Sequence, residues 1–148
     1  MEHVTHDPIQ LSALIDAVAG PERGGIVTFL GTVRRGVEDG PVTRIEYTAY
    51  DEMLETEFGR IVAETADRWP AARVTAQHRL GMVPTGEASI AVVAAAPHRA
   101  EAFSACRHVV EQAKARLPVW KREFLADGSV RWCDNTGART PAVPRTTD

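Results

Sequence analysis

The stretch "EASIAVVAAAP", Glu87 to Pro97, is apolar at both odd and even positions from Ile90 to Ala96. A strand with one buried face alternates apolar and polar residues, whereas a strand buried on both faces does not. The run therefore predicts a central strand of a sheet. It is also far too short to cross a bilayer as a helix. Upstream, "RVTAQHRLG" reads as a second strand, joined to the first by "MVPTGE", a turn containing Pro84 and Gly86. Downstream, "HRAEAFSACRHVVEQAKARL" reads as a helix with Phe103, Cys106, Val110, Ala113 and Leu117 on its buried stripe.

The remaining segments extend this pattern in both directions. "VWKREF" and "SVRW" flank "LADGS", a hairpin built on Asp127-Gly128. "EMLETEFGRIVAETADRWP" aligns Leu54, Phe58, Ile61, Val62, Thr65 and Trp69 on one helical stripe that Pro70 ends. "VTRIEYTAY" alternates, with Ile45, Tyr47 and Ala49 on one face. "GGIVTFLGTVR" is a strand ending at Gly31, and "PIQLSALIDAVAG" is a short helix carrying Leu11, Leu14, Ile15 and Val18. The charged segment "RRGVEDGP" reads as an exposed, mobile loop. Hairpins mixed with crossover helices predict an α+β class with a largely antiparallel sheet. One domain is expected over residues 1–132. Residues 133–148, which have two prolines and no periodicity, are expected to be a poorly ordered tail.

Composition narrows the function classes. The chain has 148 residues, long enough for a core without disulfide staples, and a formal net charge of −3, which argues against a general nucleic-acid binder. Its two cysteines, Cys106 and Cys133, fit neither a disulfide framework nor a zinc pattern, and a reducing cytoplasmic setting is expected. The N-terminus "MEHVTHDPIQ" is not a signal peptide. The five histidines lack metal-ligand spacing, and no phosphate-loop, dinucleotide or nucleophile-elbow motif occurs. Neither a metal nor a cofactor is expected. Cys106 reads as a core residue, and Cys133 as more exposed but without an activating base.

The segment "KARLPVWKRE", Lys114 to Glu123, sets Lys114 and Lys121 at the borders of an apolar run. Each alone reads as a snorkelling side chain with a solvated head; together, with Arg122 and Glu123 following, they point towards an anion site. His98 and Arg99 stand where a buried strand meets a helix N-terminus, whose free N–H groups attract anions, or they only cap the strand end. Gly31 lets the backbone come close to a ligand, and Arg34 ends its strand, although an arginine there is by itself a surface residue. Arg34, His98, Arg99, Lys114 and Lys121 thus suggest a basic pocket for a small phosphorylated ligand. They do not specify a reaction.

In that order, "FLGTVR", "IEYTAYDEM", "HRLGMVPTGE", "PHRAEAF" and "KARLPVWKRE" closely resemble the large, catalytic subunit of molybdopterin synthase, over roughly Gly25 to Trp132. The resemblance implies an α/β hammerhead fold of α+β type. It implies a sulfurtransferase that converts cyclic pyranopterin monophosphate into the molybdopterin dithiolene. The sulfur comes from a thiocarboxylate on the C-terminal Gly-Gly of a small ubiquitin-like subunit. By the same resemblance Lys114 and Lys121 are the catalytic pair, and Thr32, Val33, Arg34, His98, Arg99, Lys114, Lys121, Arg122 and Glu123 contact substrate. A homodimer with one small subunit at each end is implied as well. The rival readings are a non-catalytic module that binds a phosphorylated ligand in the same pocket, and a scaffold that pairs with another protein through its exposed strands.

Overall fold

The computed structural model describes residues 1–36 and 40–134. Residues 37–39 of the expected mobile loop, and 135–148 of the expected tail, lie outside the described residues. The elements in chain order are β1 (Val4–Thr5), α1 (Leu11–Val18), β2 (Gly25–Thr32), β3 (Val42–Thr48), α2 (Asp51–Arg68), β4 (Arg73–Arg79), β5 (Gly81–Pro84), β6 (Ala88–Ala96), α3 (Arg99–Arg116), β7 (Trp120–Leu125) and β8 (Val130–Asp134). They form an α+β fold with two four-stranded sheets, ordered β1-β4-β6-β2 and β5-β3-β7-β8. Among the described residues only the β1–β4 pair is parallel.

β6 is central, between β4 and β2, as its composition predicts. Its two faces serve different layers. Ile90, Val92, Ala94 and Ala96 join Leu54, Phe58 and Ile61 of α2 and Ala102, Ala105 and Val109 of α3 in the main core. Ala91, Val93 and Ala95 pack on the opposite face against Leu14 and Val18 of α1. Alanines on both faces let helices approach closely, so this sheet is covered on both sides. A third cluster joins Val42 and Ile45 of β3 and Val83 of β5, in the second sheet, to Val33, which follows β2, and Tyr47 packs against both this cluster and the main core. Among the described residues no helix is long and apolar enough to cross a membrane.

Three local expectations change. "MVPTGE" is not all turn, because Gly81–Pro84 is strand β5, paired with β3 in the second sheet. Gly81 has φ +90 and turns the chain out of the first sheet at the end of β4, and only the segment around Gly86 (φ +91) is left to make the reversal. Phe103 does not lie on the buried stripe of α3. It is 59% exposed, and the stripe runs through Ala102, Ala105, Cys106, Val109 and Ala113, whose small side chains allow close packing. Cys133 is buried and, with Asp134, belongs to β8, opposite Lys121 and Trp120 of β7. The alternating pleat of the hairpin points Cys133 inward.

Arg116, at the end of α3, grips both carboxylate oxygens of Glu64 at 2.6 and 3.1 Å and donates through Nε to Glu57 at 2.8 Å, tying α3 to α2. Gly25 starts β2 against the first residues of α3: a Cβ there would lie 3.1 Å from the Arg99 nitrogen.

Buried His78 on β4 supplies a test of this packing. Its Nδ1 donates to the Arg79 carbonyl at 2.9 Å, fixing a neutral tautomer. Burial, opposed by that bond and helped by Lys114, pulls its pKa from 6.5 down to about 4. The unfolded chain therefore takes up a proton that the folded chain refuses, and stability is full above pH 6.5 and falls as pH drops towards 4. The loss attributable to His78 is about 3 kcal/mol at most. Denaturant unfolding at pH 7.5 and 4.5 should show a flatter pH dependence for His78→Gln than for the parent; parallel curves would refute this account.

Candidate functional site

The two lysines of "KARLPVWKRE" meet at one cavity. Lys114 comes from the last turn of α3 and Lys121 from β7, and both line a cleft of ≈ 580 Å³ between the two sheets. Pro118 and Val119 carry the chain from helix to strand between them, with Val119 buried. On β7 the period of two then decides what faces inward. Lys121 and Glu123 line the cavity, whereas Arg122 points to the other face of the sheet. There Arg122 pairs with Glu46 at 2.7 Å and stacks on Phe124 and Trp132. Arg122, expected to contact substrate, thus lies outside the cleft that Lys121 lines in the single chain. The four basic residues of the segment divide cleanly: Arg116 and Arg122 hold structure together, and Lys114 and Lys121 face the cleft.

Other parts of the wall come from Thr32 at the end of β2 and Val33 and Arg34 after it, from Tyr47 on β3, Ser89 on β6, and Arg131 and Cys133 on β8. Val33 is itself core, and backbone bonds to Glu87 and Gly86 at 3.0 and 2.7 Å pin it, so this segment presents a fixed backbone to the cavity. Gly31 serves packing as well as access: a Cβ there would lie 2.6 Å from Ile90, its partner across β2–β6.

Among the described lining residues, Arg34, Lys114, Lys121 and Arg131 bring four cations to the wall against one carboxylate, that of Glu123. That carboxylate accepts from Arg131 at 3.3 Å and from the Cys133 thiol at 3.1 Å. The cavity is therefore suited to anions. As a residue Lys114 is exposed, yet its ammonium is partly desolvated by the cavity walls. That burial, followed by repulsion from Lys121, holds its pKa below the usual lysine range. Cys133 is a poor nucleophile, because burial and then the Glu123 carboxylate push its pKa up to about 11. Among the described residues no group of three or more His, Cys, Asp or Glu side chains is arranged to hold a metal ion.

His98 and Arg99 do not join this cleft. They line a separate cavity with Gly24, Gly25 and Pro97. In the β2–β6 pairing Gly25 lies opposite Ala96 and Thr32 opposite Ala88, so this second cavity and the lysine cleft occupy opposite ends of the strand pair. The expectation of one pocket containing all five basic residues is thus corrected for a single chain. Sequence reading also missed Tyr47, Ser89, Arg131 and Cys133. The alternation of β3 had marked the Tyr47 face as buried, and Ser89 is a polar residue beside an apolar run. Those were the available signals.

The profile of the MoaE protein family matches residues 4–116. Among curated proteins, molybdopterin synthase catalytic subunit 1 of Mycobacterium tuberculosis is 40% identical over 126 residues, covering 85% of this chain and 86% of its own. Among solved structures, molybdopterin synthase from Staphylococcus aureus superposes with TM-score 0.85 at 26% identity, covering 89% of this chain and 96% of its own. A complex of subunits 1 and 2 of the molybdopterin-converting factor from Helicobacter pylori shares the fold, with TM-score 0.70 at 22% identity over 84% of this chain and 85% of that one. With the family profile spanning most of the folded region and a relative of 40% identity covering most of both chains, the chain belongs to the MoaE family.

Proposed function

We propose that this chain is the catalytic, sulfur-transferring subunit of a molybdopterin synthase, working in the cytoplasm in molybdenum cofactor biosynthesis, and that the lysine cleft is its reaction site. The observation that carries the assignment of the site is the convergence of Lys114 and Lys121, from different elements, on one cation-rich cavity. The nucleophile is brought in: a small ubiquitin-like partner threads its C-terminal Gly-Gly thiocarboxylate into the cleft, which accounts for the inert thiol of Cys133. The thiocarboxylate sulfur bonds to a carbon of cyclic pyranopterin monophosphate as a carbon–oxygen bond at that carbon breaks, and the displaced oxygen leaves with a proton. Water then adds to the acyl carbon, the acyl C–S bond breaks, sulfur stays on the pterin, and the partner leaves as a carboxylate. Charge develops on the acyl oxygen as water adds, and fixed ammonium groups stabilise it.

Arg34 supplies a cation for the substrate phosphate from the same chain. His98 and Arg99 reach such a cleft only if a second copy carries them there. The exposed Ile26 and Leu30 on β2, an edge strand, and exposed Phe103 on α3 are apolar surface that a homodimer would cover. In that assembly one small subunit engages each cleft.

Single-turnover transfer from a thiocarboxylated partner tests the assignment. Lys114→Met and Lys121→Met keep their packing stems and should remain folded, each with a rate about 10²–10³ lower. Near-normal rates in both would return the lysines to a snorkelling role. Removing the partner's terminal Gly-Gly should abolish turnover, and full activity without it would defeat the sulfur route. Arg99→Ala should weaken substrate binding by about 1.5–3 kcal/mol. Mixing Arg99→Ala with Lys121→Met subunits should restore part of the activity, since some mixed dimers then hold a complete site. No recovery on mixing, with exchange of subunits verified, would place Arg99 outside the shared site.

A further inference from the structure

Tyr47 and Ser89 have no part in the reading above, yet both face the cleft. Tyr47 lies on β3 directly opposite Lys121 of β7. Opposed residues on one face of an antiparallel pair have Cβ atoms about 4.5–5.5 Å apart, so the phenol and the lysine stem are immediate neighbours. The Tyr47 ring stands edge-on to His78 with centroids 5.2 Å apart and packs against two hydrophobic clusters, which restricts its swing.

The hydrogen bonds set which way the phenol proton points. Ser89 Oγ donates to the Gly31 carbonyl at 3.2 Å, and the same side chain bonds the Tyr47 hydroxyl. A serine hydroxyl has one hydrogen. With that hydrogen on Gly31, Ser89 accepts from Tyr47, and the phenol oxygen keeps its lone pairs for other donors. Burial is the largest cause that raises the Tyr47 pKa and the Glu123 carboxylate adds to it, so the phenol stays neutral at physiological pH.

We propose that Tyr47 is a positioning residue of the sulfur-transfer site: its oxygen accepts a hydrogen bond from the Lys121 ammonium, and Ser89 holds the phenol proton away from the cleft. A neutral acceptor steadies an ammonium without cancelling its charge, whereas a carboxylate in that place would do both. The charged and titratable groups around Lys121 make such a guide useful. Lys114 repels it from α3, and Glu123 competes for it two residues along its own strand. Arg131 and Cys133 face it from β8, and Arg34 from the segment after β2. This inference rests on the cleft being the transfer site.

The test is single-turnover transfer as a function of pH for the parent, Tyr47→Phe and Ser89→Ala, with thermal melting measured in parallel. Tyr47→Phe keeps the ring packing and should lose about tenfold in rate with an unchanged melting temperature. The alkaline limb of its profile should move to lower pH, because an ammonium that loses an acceptor gives up its proton more readily. Ser89→Ala should shift the limb in the same direction by less, since the freed phenol can turn its hydrogen towards the lysine. A Tyr47→Phe profile superimposable on the parent's overturns the inference, as does a slower rate with no shift of the limb. A parent protein that transfers no sulfur removes the functional reading itself, and this inference with it.

Discussion

The two-sided burial of β6 is the constraint on which the rest of the molecule depends. Because Ile90, Val92, Ala94 and Ala96 face one way and Ala91, Val93 and Ala95 the other, apolar cover is required on both sides of the first sheet. α1 covers one side, while α2 and α3 cover the other. Burying this strand is worth roughly 25 cal/mol for each Å² of apolar surface removed from water. Its placement fixes the axis of α3, and the last turn of α3 is what carries Lys114 to the gap between the sheets.

The second sheet completes the site by pleat alone. β7 pairs with β3 and β8, and one register sets Lys121 beside Tyr47 and Cys133, and Glu123 beside Ile45 and Arg131. A slip of one residue would turn Arg122 into the cleft and Lys121 out of it. Several contacts resist that slip: the Arg122–Glu46 ion pair, the stacking of Arg122 on Phe124 and Trp132, and the stacking of Arg44 on Phe124. The outer face of this sheet thereby keeps the cleft-lining face in register.

Gathering cations in a partly desolvated cleft has a cost. Lys114 and Lys121 repel one another, and the walls withhold water from the Lys114 ammonium, so its proton is held less firmly than in solution. An anionic ligand relieves both strains, which is the usual physical basis of selective anion capture. Glu123 does not fill that role, because its carboxylate is already engaged by Arg131 and Cys133.

Much of this could be read from the residues in order. The all-apolar run of β6, the alternation of β3, the Asp127-Gly128 hairpin and the long stripe of α2 are local patterns, and local patterns follow from backbone geometry. The resemblance carried by "FLGTVR", "PHRAEAF" and "KARLPVWKRE" led to the MoaE family. Other features were not legible, because they depend on which segments meet. The glycine-turned exit at Gly81 sends β5 to a different sheet from β4. The alanine stripe that displaces Phe103 to the surface is set by how closely α3 packs on the first sheet. The sequence by itself determined which residues could be strands, helices and anion ligands, since side-chain size, polarity and spacing act over a few residues. Only the tertiary structure decided that Arg34, Lys114 and Lys121 share a cleft while Arg122 turns away and His98 and Arg99 lie at the far end of the strand pair, because sheet register and helix packing join residues distant in the chain.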